Sequence, residues 1–206
     1  MYDTLPKDYE DAGVGSIPVL PPQGPTVPLY SNLYKAFHLC PLKSVKVVMV
    51  GQDPYHGLAQ ADGLAFSCTR RPMPPSLRNI LKELRNDVGV DNLTGDLSGW
   101  AKEGVLLLNT ALTTKFGYPG KHIDLWKPFT ESVFKVLNTG RPKVFVLIGE
   151  KARAWRPNID DVNHFVIEVG HPSPLNRTKP FLGCRMFSKI NAALKVLDEK
   201  PINWNV

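Results

Sequence analysis

The sequence predicts an α/β domain, a three-layer α/β/α sandwich around a central, mainly parallel four-stranded sheet. Two observations carry this expectation. Four short apolar runs, 45–50, 105–109, 144–148 and 165–169, have strand length, and the first two are dense enough for strands buried on both faces. Segments with helical apolar spacing alternate with them, among them Leu77, Ile80, Leu81 and Leu84, and the stretch DLWKPFTESVFKVL at 124–137.

Taken in order, residues 1–28 are rich in Pro and Gly and lack sustained periodicity, which predicts an irregular, surface-draped arm ahead of a single domain at 29–206. Leu29 to Phe37 is a candidate short helix. The run VKVVMV at 45–50 breaks at Gly51 into Gln52, Asp53, Pro54, Tyr55, His56 and Gly57. A tight loop at the carboxyl end of a buried parallel strand is where open α/β sheets place ligands. Pro54 fixes its own φ and biases Asp53 toward extended backbone, so the carboxylate rides on stiff chain. Taken alone, Asp53 also fits a polar turn. Pro72 to Pro75 form an extended loop before Ser76, which is predicted to cap the helix LRNILKEL. The strand Val105 to Asn109 ends in an amide, placed like Asp53. The 124–137 helix tolerates Pro128 if its regular part starts there. The strand 144–148 leads into Gly149-Glu150, and 165–169 delivers Gly170-His171-Pro172-Ser173-Pro174-Leu175, a loop stiffened by two prolines. A closing helix spans Cys184 to Leu197.

Composition narrows the functional classes. The chain has 206 residues, 43% of them hydrophobic, enough for one full core, and no apolar run approaches a membrane span. The amino-terminal segment lacks the basic-then-apolar form of a secretory signal. Three widely spaced cysteines, Cys40, Cys68 and Cys184, predict free thiols and an intracellular, reducing compartment, the cytoplasm or nucleus. The five histidines show no ligand spacing, so no metal is expected. A net charge of +6 suits a polyanionic partner and is a weak indication by itself.

The blocks GQDPYHG, LLLNT at 106–110 and HPSPL at 171–175, in that order, closely resemble the family 1 uracil-DNA glycosylases. The likeness continues through PPSLRNILKEL, GDLSGWAKEGVLLLN, GCRMFSKIN and PINW, covering most of the chain from about Pro21. It implies a monomeric, cofactor-free enzyme that flips uracil out of single- or double-stranded DNA and hydrolyses its N-glycosidic bond. The resemblance makes Asp53 and His171 catalytic, and Gln52, Tyr55, Phe66 and Asn109 the uracil pocket. DNA contacts fall to Pro74, Pro75, Ser76 and Ser173, with Leu175 as the wedge entering the base stack and Arg177 and Lys179 adding positive charge beside it. A proteinaceous glycosylase inhibitor or a replication protein is an expected partner, and a membrane is not.

The chain departs from the family pattern in four places. The helical stretch that usually precedes the first strand is missing, and RPMPPS is shorter than the usual proline run. Glu150 stands where a serine usually follows the glycine, and Asp62 where a histidine is frequent. Two other readings stay open at this point: a DNA-bound assembly factor in a replication complex, and a superfamily relative acting on other deaminated or mismatched bases.

Overall fold

A computed structural model describes residues 1–15, 25–176 and 180–205. In chain order the elements are α1 (Lys7–Asp11), β1 (Thr26–Val27), α2 (Lys35–Leu39), β2 (Val47–Gly51), α3 (Pro75–Val88), α4 (Ser98–Lys102), β3 (Val105–Asn109), β4 (Thr114–Lys115), α5 (Ile123–Leu137), β5 (Val144–Ile148), α6 (Glu150–Arg153), β6 (Phe165–Val169) and α7 (Met186–Val196). Four of the strands form one parallel sheet in the order β3-β2-β5-β6, and β1 and β4 pair antiparallel beside it. Helices flank the sheet, giving the expected three-layer α/β/α domain.

Every residue of β2, β3 and β5 is buried, which explains their unbroken apolar sequences. Strand β6 lies at the edge, where Phe165 and Glu168 are exposed. The chain leaves β2 for β3 on one side and later returns to β5 on the other, so the connections at the carboxyl end of β2 diverge and open a crevice. Pairing brings the strand ends level: Gly51 lies opposite Asn109, and Ile148 opposite Val169. Two aromatic clusters fill the space against the helices. Trp100, Phe187 and Trp204 meet edge-on with centroids 4.9–5.6 Å apart, joining α4, α7 and the carboxyl-terminal segment. Phe37, Phe129 and Trp126 make similar T-shaped contacts between α2 and α5.

Several sequence expectations need correction. The segment 1–28 is not an irregular surface arm throughout. It contains α1, and Tyr9 on that helix is fully buried, edge-on to Phe37 at 4.9 Å, with its hydroxyl donating to the Cys40 carbonyl at 2.7 Å. Leu5 and Val14, which flank α1, join the same core. Residues 16–24 lie outside the described residues. The helix expected over 29–37 is a 3₁₀ turn, Tyr30–Asn32, followed by α2. Helix α5 begins at Ile123 and carries Pro128 inside it, closing its first turn through the Trp126 N–H to the His122 carbonyl at 3.1 Å. Ser76 does not cap α3. Pro74 occupies that position and Pro75 the first helical one, where a missing N–H costs nothing.

The burial of Tyr9 yields a stability prediction. Tyr9→Ala should lower the unfolding free energy by about 3–5 kcal/mol, the range for emptying a buried aromatic site. Urea denaturation measures it; a loss of about 0.5 kcal/mol or less, typical of surface positions, would mean the arm is merely draped.

Candidate active site

The site begins with an absence. Gly51 ends β2, and a Cβ there would lie 2.7 Å from Asn109 Oδ1 and 3.1 Å from the Phe66 ring. The missing side chain lets an amide from β3 and an aromatic ring from the following loop converge on one backbone. Asn109 is nearly buried, and among the described residues its carboxamide takes no protein hydrogen-bond partner. Phe66 holds a left-handed backbone, φ +65°, a conformation costing of order 1–3 kcal/mol for such a residue.

The loop after Gly51 is fixed on both sides. The Gln52 carbonyl accepts from the Thr110 hydroxyl and the Ala111 N–H, each at 2.9 Å, and the His56 carbonyl accepts from the Gly117 N–H at 2.9 Å. Asp53 receives the Gly120 N–H at 2.5 Å. Burial pushes the Asp53 carboxyl above the usual range, while the Gly120 N–H, the neighbouring His56 and the side chains of Gln52 and Thr114 pull the other way. Tyr55 is pinned by its hydroxyl, 2.9 Å from Ser76 Oγ and 3.3 Å from the Phe66 carbonyl. Burial drives that phenol upward, so it stays neutral.

His171 arrives from the end of β6. The Ser173 N–H donates to its Nδ1 at 3.1 Å. A backbone N–H can only donate, so Nδ1 is an acceptor and the neutral ring carries its proton on Nε2. Burial lowers the His171 pKa and favours that neutral form. Gly149 makes the position possible: it has φ +88°, and a Cβ there would lie 2.9 Å from His171 Cδ2. The loop is tied down by Asn79, which donates to the Pro172 carbonyl at 2.7 Å, and by Asn176, which donates to the His171 carbonyl at 3.0 Å.

Gln52, Asp53, Tyr55, Phe66, Ser76 and His171 therefore border one cavity of about 130 Å³, with His56 and Pro54. That is roughly the liquid volume of four waters, the scale of one small heterocyclic ring. Asn109 borders a narrower space behind it with Pro54 and Leu64. A much larger cavity, about 840 Å³, lies at the amino ends of β2 and β5. Two of its three cations are engaged within the fold: Lys143 Nζ donates to the Thr139 and Arg141 carbonyls, and Arg141 pairs with Glu199 at 2.6 Å. Size does not identify the site here; convergent polar groups do.

Residues 37–195 match the model of the uracil DNA glycosylase superfamily. The chain belongs to that superfamily. It is 47% identical over 185 residues to a uracil-DNA glycosylase of Streptococcus pneumoniae (strain Hungary19A-6), spanning 88% of this chain and 85% of the relative. A crystal structure of mimivirus uracil-DNA glycosylase is 30% identical, with a TM-score of 0.81 over 88% of this chain and 75% of that one. A mimivirus UNG variant in complex with UGI also superimposes, at 30% identity and TM-score 0.82, covering 89% of this chain and 78% of that one.

Beside the 130 Å³ cavity runs a groove of about 490 Å³ bordered by Gln52, Ile148, Glu150, Lys151, His171, Ser173, Leu175 and Asn176. Leu175 is 85% exposed at the tip of the 171–176 loop, so it is not a core leucine. Glu150 is exposed at the start of α6. Arg153 is committed to the Val169 carbonyl at 3.2 Å, which leaves Lys151 as the exposed cation on that wall. Pro74 and Pro75 open α3, and the Ser76 hydroxyl faces Tyr55 within the cavity. Arg177 and Lys179 lie outside the described residues. Among the described residues no cluster of three or more His, Cys, Asp or Glu side chains could hold a metal ion, and no helix is long and apolar enough to cross a membrane.

Sequence reasoning missed Gly120, Gly149, Thr110 and Asn79. The run FGYPG flags a turn at Gly120, but nothing local reveals that its N–H meets a carboxylate 67 residues earlier. Asn79 is hidden the same way, its acceptor lying 93 residues downstream.

The crowding at Gly51 yields a second prediction. Gly51→Ala should leave the protein folded but displace the Asn109 amide and the Phe66 ring, lowering kcat/KM on uracil DNA about 10²-fold or more, as misplacements near 1 Å do. Steady-state kinetics beside circular dichroism measures this; unchanged kcat/KM would show that the close approach is incidental.

Proposed function

We propose that the cavity at the end of β2 takes a uracil flipped out of DNA, and that Asp53 and His171 together cleave its N-glycosidic bond. The observation that carries this reading is the Ser173 N–H to His171 Nδ1 hydrogen bond, which leaves a neutral imidazole offering Nε2–H in the same cavity as an acceptor-only carboxylate.

The bond between C1′ and N1 breaks with its electron pair leaving on the base. The base becomes a uracil anion and the deoxyribose an oxocarbenium-like cation. His171 Nε2–H hydrogen-bonds O2 as negative charge develops there; one such donor contributes about 3–4 kcal/mol. The Asp53 carboxylate stabilises the sugar cation and orients a water toward C1′. That water forms the new C–O bond and gives up a proton to Asp53, which releases it to solvent while the departing uracil anion takes one up, so hydrolysis yields free uracil and an abasic site. Neither a nucleophilic side chain nor a cofactor is needed for this balance.

Base choice follows from complementary groups. Asn109 accepts from N3–H through Oδ1 and donates to O4 through Nδ2. Cytosine presents the reverse pattern, and each unmatched buried group costs about 1–3 kcal/mol. Phe66 stacks on the ring. Tyr55, held by Ser76 and the Phe66 carbonyl, fills the space beside C5, where the methyl group of thymine would clash. Extruding the nucleotide costs a few kcal/mol. Leu175 entering the vacated stack offsets it, with phosphate contacts from Ser173 and from the free backbone N–H groups that open α3 after Pro74 and Pro75. A UGI-like protein inhibitor would occupy this same face. Free thiols at Cys40, Cys68 and Cys184 support a reducing, intracellular setting.

The test uses a labelled oligonucleotide carrying one uracil, with chelator present, cleaved by alkali after incubation. The wild type should give scission on single- or double-stranded DNA. His171→Leu should lose about 10²–10³-fold in kcat, and Asp53→Asn should bind the DNA while losing most turnover. Near-normal turnover of either variant would remove that residue from its role. A wild type that binds DNA without excising uracil would favour an assembly role instead.

A further inference from the structure

We infer that the buried Lys35–Asp62 pair is a positioning device for the uracil-stacking ring: Asp62 holds Phe66 in its left-handed conformation, and Lys35 compensates the buried carboxylate. This inference rests on the uracil reading of the cavity and adds two residues that touch no substrate.

Asp62 is 8% exposed, and each of its oxygens is engaged. Oδ2 accepts from Lys35 Nζ at 3.2 Å and from Ser67 Oγ at 2.7 Å, while Oδ1 accepts from the Leu64 N–H at 3.2 Å. The pair is largely desolvated, with side-chain exposures of 13% for Lys35 and 10% for Asp62. A buried carboxylate with one partner removed is strongly destabilising, and so the lysine and the two local donors have to be present together.

These contacts close a ring around Phe66. Asp62 bonds the backbone two residues before Phe66 and the side chain one residue after it. The Ser67 hydroxyl also accepts the Leu97 N–H at 3.1 Å, and the Ala65 N–H donates to the Leu107 carbonyl of β3 at 3.1 Å. On the other side, Gly63 sits with φ +93° so close to the 3₁₀ turn and the start of α2 that a Cβ there would lie 2.1 Å from the Asn32 carbonyl oxygen and 2.9 Å from Lys35 Cβ. Phe66 thus sits between clamped neighbours, and its φ of +65° follows from them rather than from its own preference. Its carbonyl also receives the Tyr55 hydroxyl, so the turn sets both the stacking ring and the residue that guards C5. Released from the clamp, Phe66 would relax toward negative φ and swing its ring out of the plane parallel to the base.

The experiment compares two ligands. Free uracil competes through the stacking ring, whereas DNA carrying a tetrahydrofuran abasic analogue has no base to stack. For Asp62→Ala, the uracil inhibition constant should rise about tenfold or more and kcat should fall, with binding of the abasic DNA unchanged within about twofold. Asp62→Asn combined with Lys35→Met, which keeps the local hydrogen-bonding shape without either charge, should restore uracil inhibition to within about threefold of wild type. An unchanged uracil constant in folded Asp62→Ala overturns the inference. So does an equal loss of both ligands, since the pair then supports the fold rather than the ring. If Asp62→Ala does not fold, Ser67→Ala opens the same ring, and an unchanged uracil constant there overturns the inference equally. A wild type that neither excises nor binds uracil would instead sink the functional reading on which this rests.

Discussion

The parallel register that brings the ends of β2, β3, β5 and β6 to one level is the constraint on which the site depends. Gly51 lies opposite Asn109 and Ile148 opposite Val169, so Asp53, Asn109, Glu150 and His171, at or just beyond the strand ends, stand at the same height. Level ends alone would not bring side chains into contact. The residues just there are glycines where two chains must approach: Gly51 admits the Asn109 amide and the Phe66 ring, and Gly149 admits His171. A side chain at either position would occupy the space that the functional groups use.

A single physical cause then sets Asp53 and His171 apart. Burial penalises the charged form of each, raising the Asp53 carboxyl and lowering the His171 imidazole. For the histidine this is the direction the proposed role requires, and the Ser173 N–H adds a choice of tautomer. For the aspartate it runs against the proposed role, and the Gly120 N–H at 2.5 Å opposes it. That donor comes from the turn after β4, and β4 is itself paired with β1 of the amino-terminal segment. The arm that looked peripheral in the sequence thus helps to brace the support of Asp53.

The sheet was legible because buried parallel strands leave unbroken apolar runs, and three of the four match their expected limits to the residue. The first strand runs Val47–Gly51 instead of 45–50, because Val45 serves as the cap that ends the 3₁₀ turn Leu42–Ser44. The cavity residues were legible because Gln52, Asp53, Tyr55, Phe66 and His171 sit in compact motifs whose order resembles a known family. What stayed hidden was of another kind. Helix α1 was masked by flanking prolines and glycines, and its reason to form is a tertiary one, the burial of Tyr9 against Phe37. Ser76 carried two local signals, and the proline at the first helical position outweighed the serine cap, freeing the hydroxyl for Tyr55. Gly120, Asn79 and Lys35 act on partners far away in sequence, where periodicity and turn chemistry carry no information.

The central claim is that the cavity holds a neutral, Nε2-protonated His171 beside an ionised Asp53 at neutral pH. The most direct measurement is a nitrogen-15 NMR titration of the His171 ring, read beside the pH profile of kcat/KM. A lowered histidine pKa keeps the ring neutral below its ordinary value of about 6.5, and a raised aspartate pKa starts protonation above about 3.9. Both changes cost activity as pH falls, so the acid limb should lie above the ordinary aspartate value, with the proton on Nε2 throughout the active range. An imidazolium at about pH 7, or a neutral ring protonated on Nδ1, would contradict the account.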